Sequence, residues 1–467
     1  MQRNVCKFWI IPNKMTGTDM DKSLQDILSA REQRAATQRL LLETYRKPLI
    51  CFTMNIPGPE KISPLIEKGF HLGQELLFAQ LNGEKITVLH QQQGRSAAGY
   101  EGYYVADCDP DRLKRLTLEL EEQTFAGRLF DFDVLDAYGQ KWDRQRLGYP
   151  ERQCLICDGS ARVCGRSRVH SVSQLQDRVH QILTDALQQR YARRVAAAAV
   201  RGLLCEACIG PKPGLVDRFG SGSHKDMDIF TFLASAPALE PYFFDCVRIG
   251  QETASEKPEE TFRRLRLQGK IAQQEMLRVT GGINTHKGAI FTLGLLCSAA
   301  GRLEEGKPNP EKLLAACSAM TVGITEKDYR KSASGEGLTN GEALFQRYGI
   351  TGVRGQAERG YPAIAEVGLP ALERGLSLGH DWNRSGCGAL LAIMASCQDT
   401  NLIHRGGLEE SGRILESVRS LLKKEPYPEE SALRELDREF MHKNLSPGGS
   451  ADLLAASCFL YFLKNEV

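Results

Sequence analysis

The 467-residue chain has no long apolar run. Its longest, FWII near the start and VAAAAV at 195–200, fall far short of the roughly 18 residues that a membrane-crossing helix needs, so no membrane segment is expected. It also lacks an excess of either charge. Lys and Arg number 60 against 58 Asp and Glu, a formal net charge of +2, which supplies no global field for gripping nucleic acid or anionic lipid. Any polyanion site must be local. The N-terminal MQRNVCKFWIIPNKMTG lacks the apolar length and the small-residue cleavage site of a secretory signal, and a cytoplasmic protein is expected. The 14 cysteines are scattered, many in Ala/Leu-rich stretches where a reduced thiol behaves as a small hydrophobe, so no disulfide framework is expected. Internal repeats, low-complexity tracts and a Pro/Gly/Ser-rich linker are likewise missing.

What is present divides into two textures. Apolar spacing predicts a helix over 23–45 with Ser23 as N-cap, a strand at PLICFTMN and a helix around 62–81. Strands at KITVLH and GYYVAD follow, then a helix at 110–123 opened by Asp109 and Pro110, and a strand at 128–136. This order, α-β-α-β-β-α-β, predicts a small mixed sheet with helices packed on it. After about 172 the periodicity is 3.6 throughout and strand alternation almost disappears. The expectation is a multidomain chain, an N-terminal α/β (α+β) domain followed by an all-α domain, with the join itself helical and the domains close together.

In GRLFDFDV, 127–134, strand alternation sends Asp131 and Asp133 to one face and Phe130, Phe132 and Val134 to the other. Two carboxylates side by side on an anchored strand suit Mg²⁺, which completes its shell with water and phosphate oxygens. Gly127 and Arg128 precede them and suit a phosphate. The bland alternative is a solvated strand face. In RQCLICDGSARVCGRSRVHS, 152–171, Cys154, Cys157, Cys164 and His170 make a candidate Cys₃His zinc set, weighed against free thiols in a turn because the later spacing is irregular. Arg152, Arg166 and Arg168 concentrate positive charge there, suited to a phosphorylated substrate or to a solvated surface.

KPGLVDRFGSGSHKDMD, 212–228, packs Asp217, His224, Lys225, Asp226 and Asp228 into one Gly-rich segment. Converging backbone N–H groups beside carboxylates suit a phosphate with its metal. Lys225 is followed by Asp226, which departs from the G-x-x-x-x-G-K-[ST] phosphate loop. GGINTHKGAIFTLG, 281–294, sets Asn284, Thr285, His286 and Lys287 before a helix starting near Ala289, an anion site by its helix N-terminus. Glu366 in GYPAIAEVGLP, Asp381 and Asn383 in HDWNRSGCG, and Asp452 in the first turn of the last helix are weaker candidates, because acidic caps and Gly/Pro turns recur everywhere.

Together, QRLLLETYRKPLICFTMNIPGPEK, GRLFDFDV and RQCLICDGSARVCGRSRVHS resemble the holo-acyl-carrier-protein synthases of citrate lyase over roughly 20–185. The resemblance implies transfer of a phosphoribosyl-dephospho-CoA unit to a serine of the lyase's acyl carrier (gamma) subunit, with pyrophosphate leaving. It implies a nucleotidyltransferase-like domain over 20–187 in which Asp131 and Asp133 are catalytic metal ligands. The ordered set KPGLVD, GSHKDMD, NTHKGAIFTLG, GYPAIAEVGLP and NLSPGGSADLLA resembles the triphosphoribosyl-dephospho-CoA synthase family over roughly 190–467. That likeness implies that ATP and 3'-dephospho-CoA are joined with release of adenine by a domain over 188–467. As a glycosyl transfer, this reaction calls for a carboxylate base and negative charge near an oxocarbenium-like centre. Asp217, Asp226 and Asp228 are the expected metal and base residues, and His224, Lys225, Asn284, His286 and Lys287 the expected phosphate contacts. Residues 1–19, an N-terminal extension, fall outside both likenesses. Non-catalytic nucleotide binding by a scaffold or regulator is the alternative, and a polynucleotide-joining transferase is opposed by the net charge.

Overall fold

The computed structural model describes residues 20–303, 308–331 and 338–467, so the expected extension at 1–19 lies outside the described residues. Two compact units divide at Gln188 and Gln189.

The first unit begins with α1 (Met20–Tyr45), in which Ser23 is an interior residue and not the expected cap. It continues through β1 (Leu49–Met54), α2 (Pro64–Gly83), β2 (Val88–Ser96), β3 (Gly99–Ala106), α3 (Pro110–Gln123), β4 (Phe130–Leu135) and the two-residue β5 (Lys141–Trp142). The strands form one sheet in the order β2-β3-β1-β4-β5. Every pair in it is antiparallel, which corrects the expected mixed sheet: β1 lies between β3 and β4 and runs against both. Ser63 caps α2 through Ile66 N–H, and Asp109 caps α3 through the N–H groups of Asp111 and Arg112. One sheet face buries Ile50, Phe52, Phe130 and Phe132 against Phe70 and Leu77 of α2 and Leu113 and Leu120 of α3. The other packs Leu49, Cys51, Tyr103 and Val105 against Leu41 and Leu42 of α1. Where β5 no longer reaches, side chains of α3 close the edge of β4: Phe132 N–H donates to Glu121 Oε1 at 3.0 Å, and Phe132 O accepts from Lys114 Nζ at 2.7 Å.

A short helix, α4 (Ala161–Ser167), precedes α5 (Val172–Cys208), which carries the chain from the first unit into the second. Among its described residues the regular elements of the second unit are all helices, joined by loops of which 209–228 is the longest near the site. The elements that shape its site are α6 (Ile229–Ala238), α7 (Glu240–Glu252), α8 (Pro258–Val279), α9 (Lys287–Arg302) and, further along, α10 (Thr400–Lys424) and the last helix α11 (Gly448–Glu466). Most of α9 is buried, from Ala289 to Gly301. It lies against α7 at backbone contact distance, because a β-carbon on Gly250 would meet Ser298 O at 2.1 Å and one on Gly301 would meet Val247 O at 2.1 Å. Glycine at both contacts lets the helices touch, and the buried α9 in turn fixes where its N-terminus emerges.

Candidate functional site

In the first unit the alternation along β4 is as the sequence predicts: Phe130, Phe132 and Val134 are fully buried while Asp131 and Asp133 look out from the opposite face. Strand register sets each carboxylate in a cross-strand row. Glu101, Thr53 and Asp131 are cross-strand neighbours, as are Tyr103, Cys51 and Asp133. Cations meet the carboxylates. Asp131 Oδ1 is 3.1 Å from Arg152, which also pairs with Glu121 at 2.7 Å, and Asp133 is 2.6 Å from Lys141. Burial raises the Asp131 pKa and the neighbouring Asp133 charge adds to it, against the pull of Arg152. The pair is therefore brought together in an electrostatically crowded setting, with a guanidinium and an ammonium at its rim. Arg128 turns away from the pair, and its Nη2 donates to the carbonyls of Gln153, at 3.0 Å, and Cys154, so it ties down the following loop. Arg166 and Arg168 are exposed on α4 and at its end. Cys154, Cys157, Cys164 and His170 do converge, with ligand atoms all within 4.8 Å of one another.

In the second unit a cavity of about 850 Å³ opens among α5, α8, α9, α10 and α11. Of the residues expected from sequence, His224, Asp226, Asn284, His286, Lys287 and Asp452 line it. Asp217, Lys225, Asp228 and Glu366 are not among its lining residues. The reasons are physical. Asp217 is spent on its own loop, accepting from the N–H groups of Lys212 and Phe219 at 2.7 Å and of Gly220 at 3.3 Å. Asp228 is the N-cap of α6, in a reciprocal pairing with Thr231 whose hydrogen bonds lower its pKa. Lys225 and Glu366 are exposed.

The two histidines are hydrogen-bonding groups and not the cations that phosphate binding would favour. His224 Nδ1 accepts from Arg405 at 3.2 Å and its Nε2 lies 2.9 Å from Ser446 Oγ, while burial and the Arg405 charge lower its pKa. His286 is buried, and burial with the Lys212 charge pulls its pKa down to about 3. Thr285 Oγ1 donates to Ser235 Oγ at 2.8 Å, and Ser235 Oγ lies 2.8 Å from His286 Nδ1. That order of donors leaves the ring's N–H on His286 Nε2, which is buried and has no hydrogen-bond partner among the described residues.

Asp452 sits in the second turn of α11 and not the first, facing the start of α9. Its pKa is raised well above the carboxylate range by burial and by the charges of Glu206 and Asp399, while the N–H of Ala289 pulls it back. The helix N-terminus expected to hold a phosphate thus already faces a carboxyl group of the protein. Glu206 and Asp399, also in the cavity wall, carry no signal in the sequence that would single them out. Glu206 is locked to the buried Lys212 ammonium, and Asp399 caps α10 while accepting from Ser450 N–H at 2.6 Å. Lys270 of α8 is equally silent in the sequence. With Lys287 it lines the cavity, and neither ammonium has an ion-pair partner among the described residues. A wall with carboxyl groups at one place and unpaired ammonium groups at another can hold a polyphosphate and accept a proton in the same enclosure.

Comparison with known proteins follows the same division. A family model described as ATP:dephospho-CoA triphosphoribosyl transferase matches residues 192–467, and one described as apo-citrate lyase phosphoribosyl-dephospho-CoA transferase matches residues 22–186. Over 462 residues the chain is 36% identical to Protein CitXG of Haemophilus influenzae, covering 95% of this chain and 97% of that protein. It is 32% identical over 466 residues to Protein CitXG of Leuconostoc mesenteroides subsp. cremoris, covering 95% and 98%. A shorter relative, the 2-(5''-triphosphoribosyl)-3'-dephosphocoenzyme-A synthase of Klebsiella pneumoniae, is 40% identical over 274 residues, covering 58% of this chain and 90% of its own.

Proposed function

The chain belongs to the ATP:dephospho-CoA triphosphoribosyl transferase family, with an apo-citrate lyase phosphoribosyl-dephospho-CoA transferase region ahead of it, and from that premise we propose one enzyme with two successive activities. The second unit joins ATP to 3'-dephospho-CoA, releasing adenine and forming 2'-(5''-triphosphoribosyl)-3'-dephospho-CoA. The first unit transfers the phosphoribosyl-dephospho-CoA part of that product to a serine of the citrate lyase acyl carrier subunit, releasing pyrophosphate. The observation that carries this reading is the presence of both family matches, each over its own half, in a chain aligned nearly end to end with fused relatives. It leaves non-catalytic nucleotide binding without support.

In the second unit the 2'-hydroxyl of dephospho-CoA attacks C1'' of the ATP ribose as the bond to adenine breaks, and the proton the hydroxyl loses is balanced by the one adenine takes up on leaving. The hydroxyl proton needs an acceptor, and Asp452 suits that role: it faces the cavity, and its raised pKa makes it a stronger base than an ordinary carboxylate. Lys270 and Lys287 suit the triphosphate, which is retained. Asp226, exposed at the cavity rim, is the remaining candidate there for a Mg²⁺ ligand.

In the first unit, read as nucleotidyltransferase-like, Asp131 and Asp133 fit Mg²⁺ as two outward carboxylates on one strand face. When bound, the ion would neutralise charge on the transferring and leaving phosphates. Arg152 and Lys141, already at the rim, would guide those phosphates in. A zinc ion at the Cys₃His cluster is read as structural and apart from this chemistry. The protein is read as cytoplasmic, in keeping with the absence of any helix among the described residues long and apolar enough to cross a membrane.

The deciding assay incubates the intact protein with ATP and 3'-dephospho-CoA and measures free adenine. Apo-carrier is then added and pyrophosphate is measured. Adenine release followed by carrier-dependent pyrophosphate is expected. ATP binding with neither product would establish the scaffold reading instead.

A further inference from the structure

After β5 the chain runs from 143 to 171 with one short helix and almost no core of its own. Only Cys154 and Leu155 are buried apolar residues in that stretch. A segment of this length that buries two small or medium side chains cannot offset its ordering entropy by packing, and needs another tether. Yet it performs exact-fit work: Arg152 reaches Glu121 at 2.7 Å and Asp131 at 3.1 Å, and Arg144 reaches Glu121 at 3.1 Å and Glu122 at 2.7 Å.

The tether is visible in four side chains. Cys157 Sγ lies 3.6 Å from Cys164 Sγ and 3.3 Å from His170 Nε2, and Cys154 completes a group within 4.8 Å. Zinc with sulfur at about 2.3 Å and nitrogen at about 2.0 Å sets tetrahedral edges of about 3.8 Å between sulfurs and about 3.5 Å between sulfur and nitrogen. The Cys157–Cys164 and Cys157–His170 spacings fall within a few tenths of an ångström of those edges, and the remaining pairs lie within 4.8 Å.

The backbone around them is shaped to hold thiolates. Cys154 N–H donates to Gly159 O at 2.7 Å, and Gln153 bridges Ser160, closing a tight hairpin that carries the first two cysteines. The N–H groups of Ile156 and Cys157 face the Cys154 sulfur. A β-carbon on Gly159 would lie against both Cys157 Sγ and Cys164 Sγ, so the hairpin tip comes directly onto the sulfurs. At the end of α4, Arg168 takes a left-handed turn, φ 47°, with its N–H donating to Cys164 O, and this turn swings His170 back onto Cys157.

We infer that Cys154, Cys157, Cys164 and His170 bind one structural Zn²⁺, which fixes the 143–171 segment and thereby holds Arg152 beside Asp131. Three thiolates and one imidazole favour zinc over the oxygen-seeking Mg²⁺, and four protein ligands leave no open position for a reacting water. The ion is therefore a tether and not part of the reaction. Its site is independent of whichever reaction the first unit performs.

The test begins with the intact chain, purified under reducing conditions without chelator. Elemental analysis should find about one zinc per chain. Zinc removed and replaced by Co²⁺ should give the intense thiolate-to-cobalt absorption of a tetrahedral sulfur site. Cys157→Ser and Cys164→Ser should each lose stoichiometric metal, while His170→Cys, which restores a fourth soft ligand, should keep it. Stripping the metal should open 143–171 to trypsin and leave adenine release unchanged. Reduced wild-type protein that takes up less than half an equivalent of added Zn²⁺, or Co²⁺ bound without thiolate absorption, would overturn the inference. Both are read on the wild-type chain, so a variant that fails to fold cannot obscure the result.

Discussion

Asp452 Oδ2 stands 1.9 Å from the point a β-carbon on Gly288 would occupy, so the carboxyl group fills the space that any side chain at the start of α9 would need. Gly288→Ala must then push Asp452 aside or part α9 from α11. The expected result is a fall in adenine release of about tenfold or more and a lower melting temperature, consistent with an overpacking cost of about 1–3 kcal/mol. Attachment to the carrier from supplied intermediate should persist. Wild-type adenine release and melting in this variant would mean that the carboxyl group is not confined as described.

Asp452→Asn keeps the shape and removes the proton acceptor. Adenine release should drop on the order of 100-fold or more, with ATP still bound. Because the folded environment raises the pKa of Asp452, wild-type activity should climb with pH as that proton is lost, and the climb should be missing from the variant. Rate profiles at several pH values check both points, and an Asn variant with the wild-type profile would remove Asp452 from the reaction.

Asp131→Asn and Asp133→Asn should lower carrier attachment on the order of 100-fold while adenine release continues, since the two reactions are assigned to different units. Pyrophosphate and adenine measured on the same preparations separate the outcomes. Full attachment in both variants would sink the metal assignment.

Asp226 and Asp228 are two residues apart but should behave differently. Asp226→Asn is expected to reduce adenine release sharply. Asp228→Asn should be tolerated, because asparagine caps a helix as well as aspartate does, whereas Asp228→Ala should lower the melting temperature. Equal loss of adenine release in both Asn variants would return Asp228 to the reacting site.

Acid should weaken the second unit through His286. Its folded pKa is about 3 against an unfolded 6.5, so between those values the unfolded chain binds the extra proton. Its contribution to stability is fully present above 6.5 and is lost as pH falls through that window, about 2 kcal/mol by pH 5. Denaturant midpoints at pH 7.5 and pH 5 should show that slope in the wild type and a flatter one in His286→Asn. Parallel slopes would place the acid sensitivity elsewhere.

The Asp131 and Asp133 pair was legible because strand alternation has a period of two and three buried apolar residues fix its phase. The helical character of the second half was legible for the same reason at period 3.6. At Asp217 and Asp228 the sequence could not separate ligand from scaffold: a Gly-rich loop and a helix N-terminus have many unpaired N–H groups, and carboxylates that satisfy them, as these two do, look in sequence like ligands. Glu206 and Lys270 went unnoticed for the opposite reason. Each is a single charged residue on a regular helix, in LLCEAC and LQGKIA, and only tertiary packing turns it toward the cavity. β5, at two residues, is too short to carry any periodic signal.

The closure of β4 by Lys114 and Glu121 has a bearing on solubility. Beyond its two pairs with β5, β4 would be a bare strand border, and its alternating Phe-Asp-Phe-Asp pattern presents the regular extended backbone that another chain could join. With Phe132 N–H and C=O both occupied by a buried ammonium–carboxylate pair, no incoming strand can bond there without first displacing two charged side chains and breaking the ion pairs that Glu121 makes with Arg144 and Arg152. The same two side chains that fix the strand carrying Asp131 and Asp133 thus also guard it against strand-to-strand aggregation. The outward carboxylates stay accessible to small solutes while the backbone beneath them stays closed to other polypeptides.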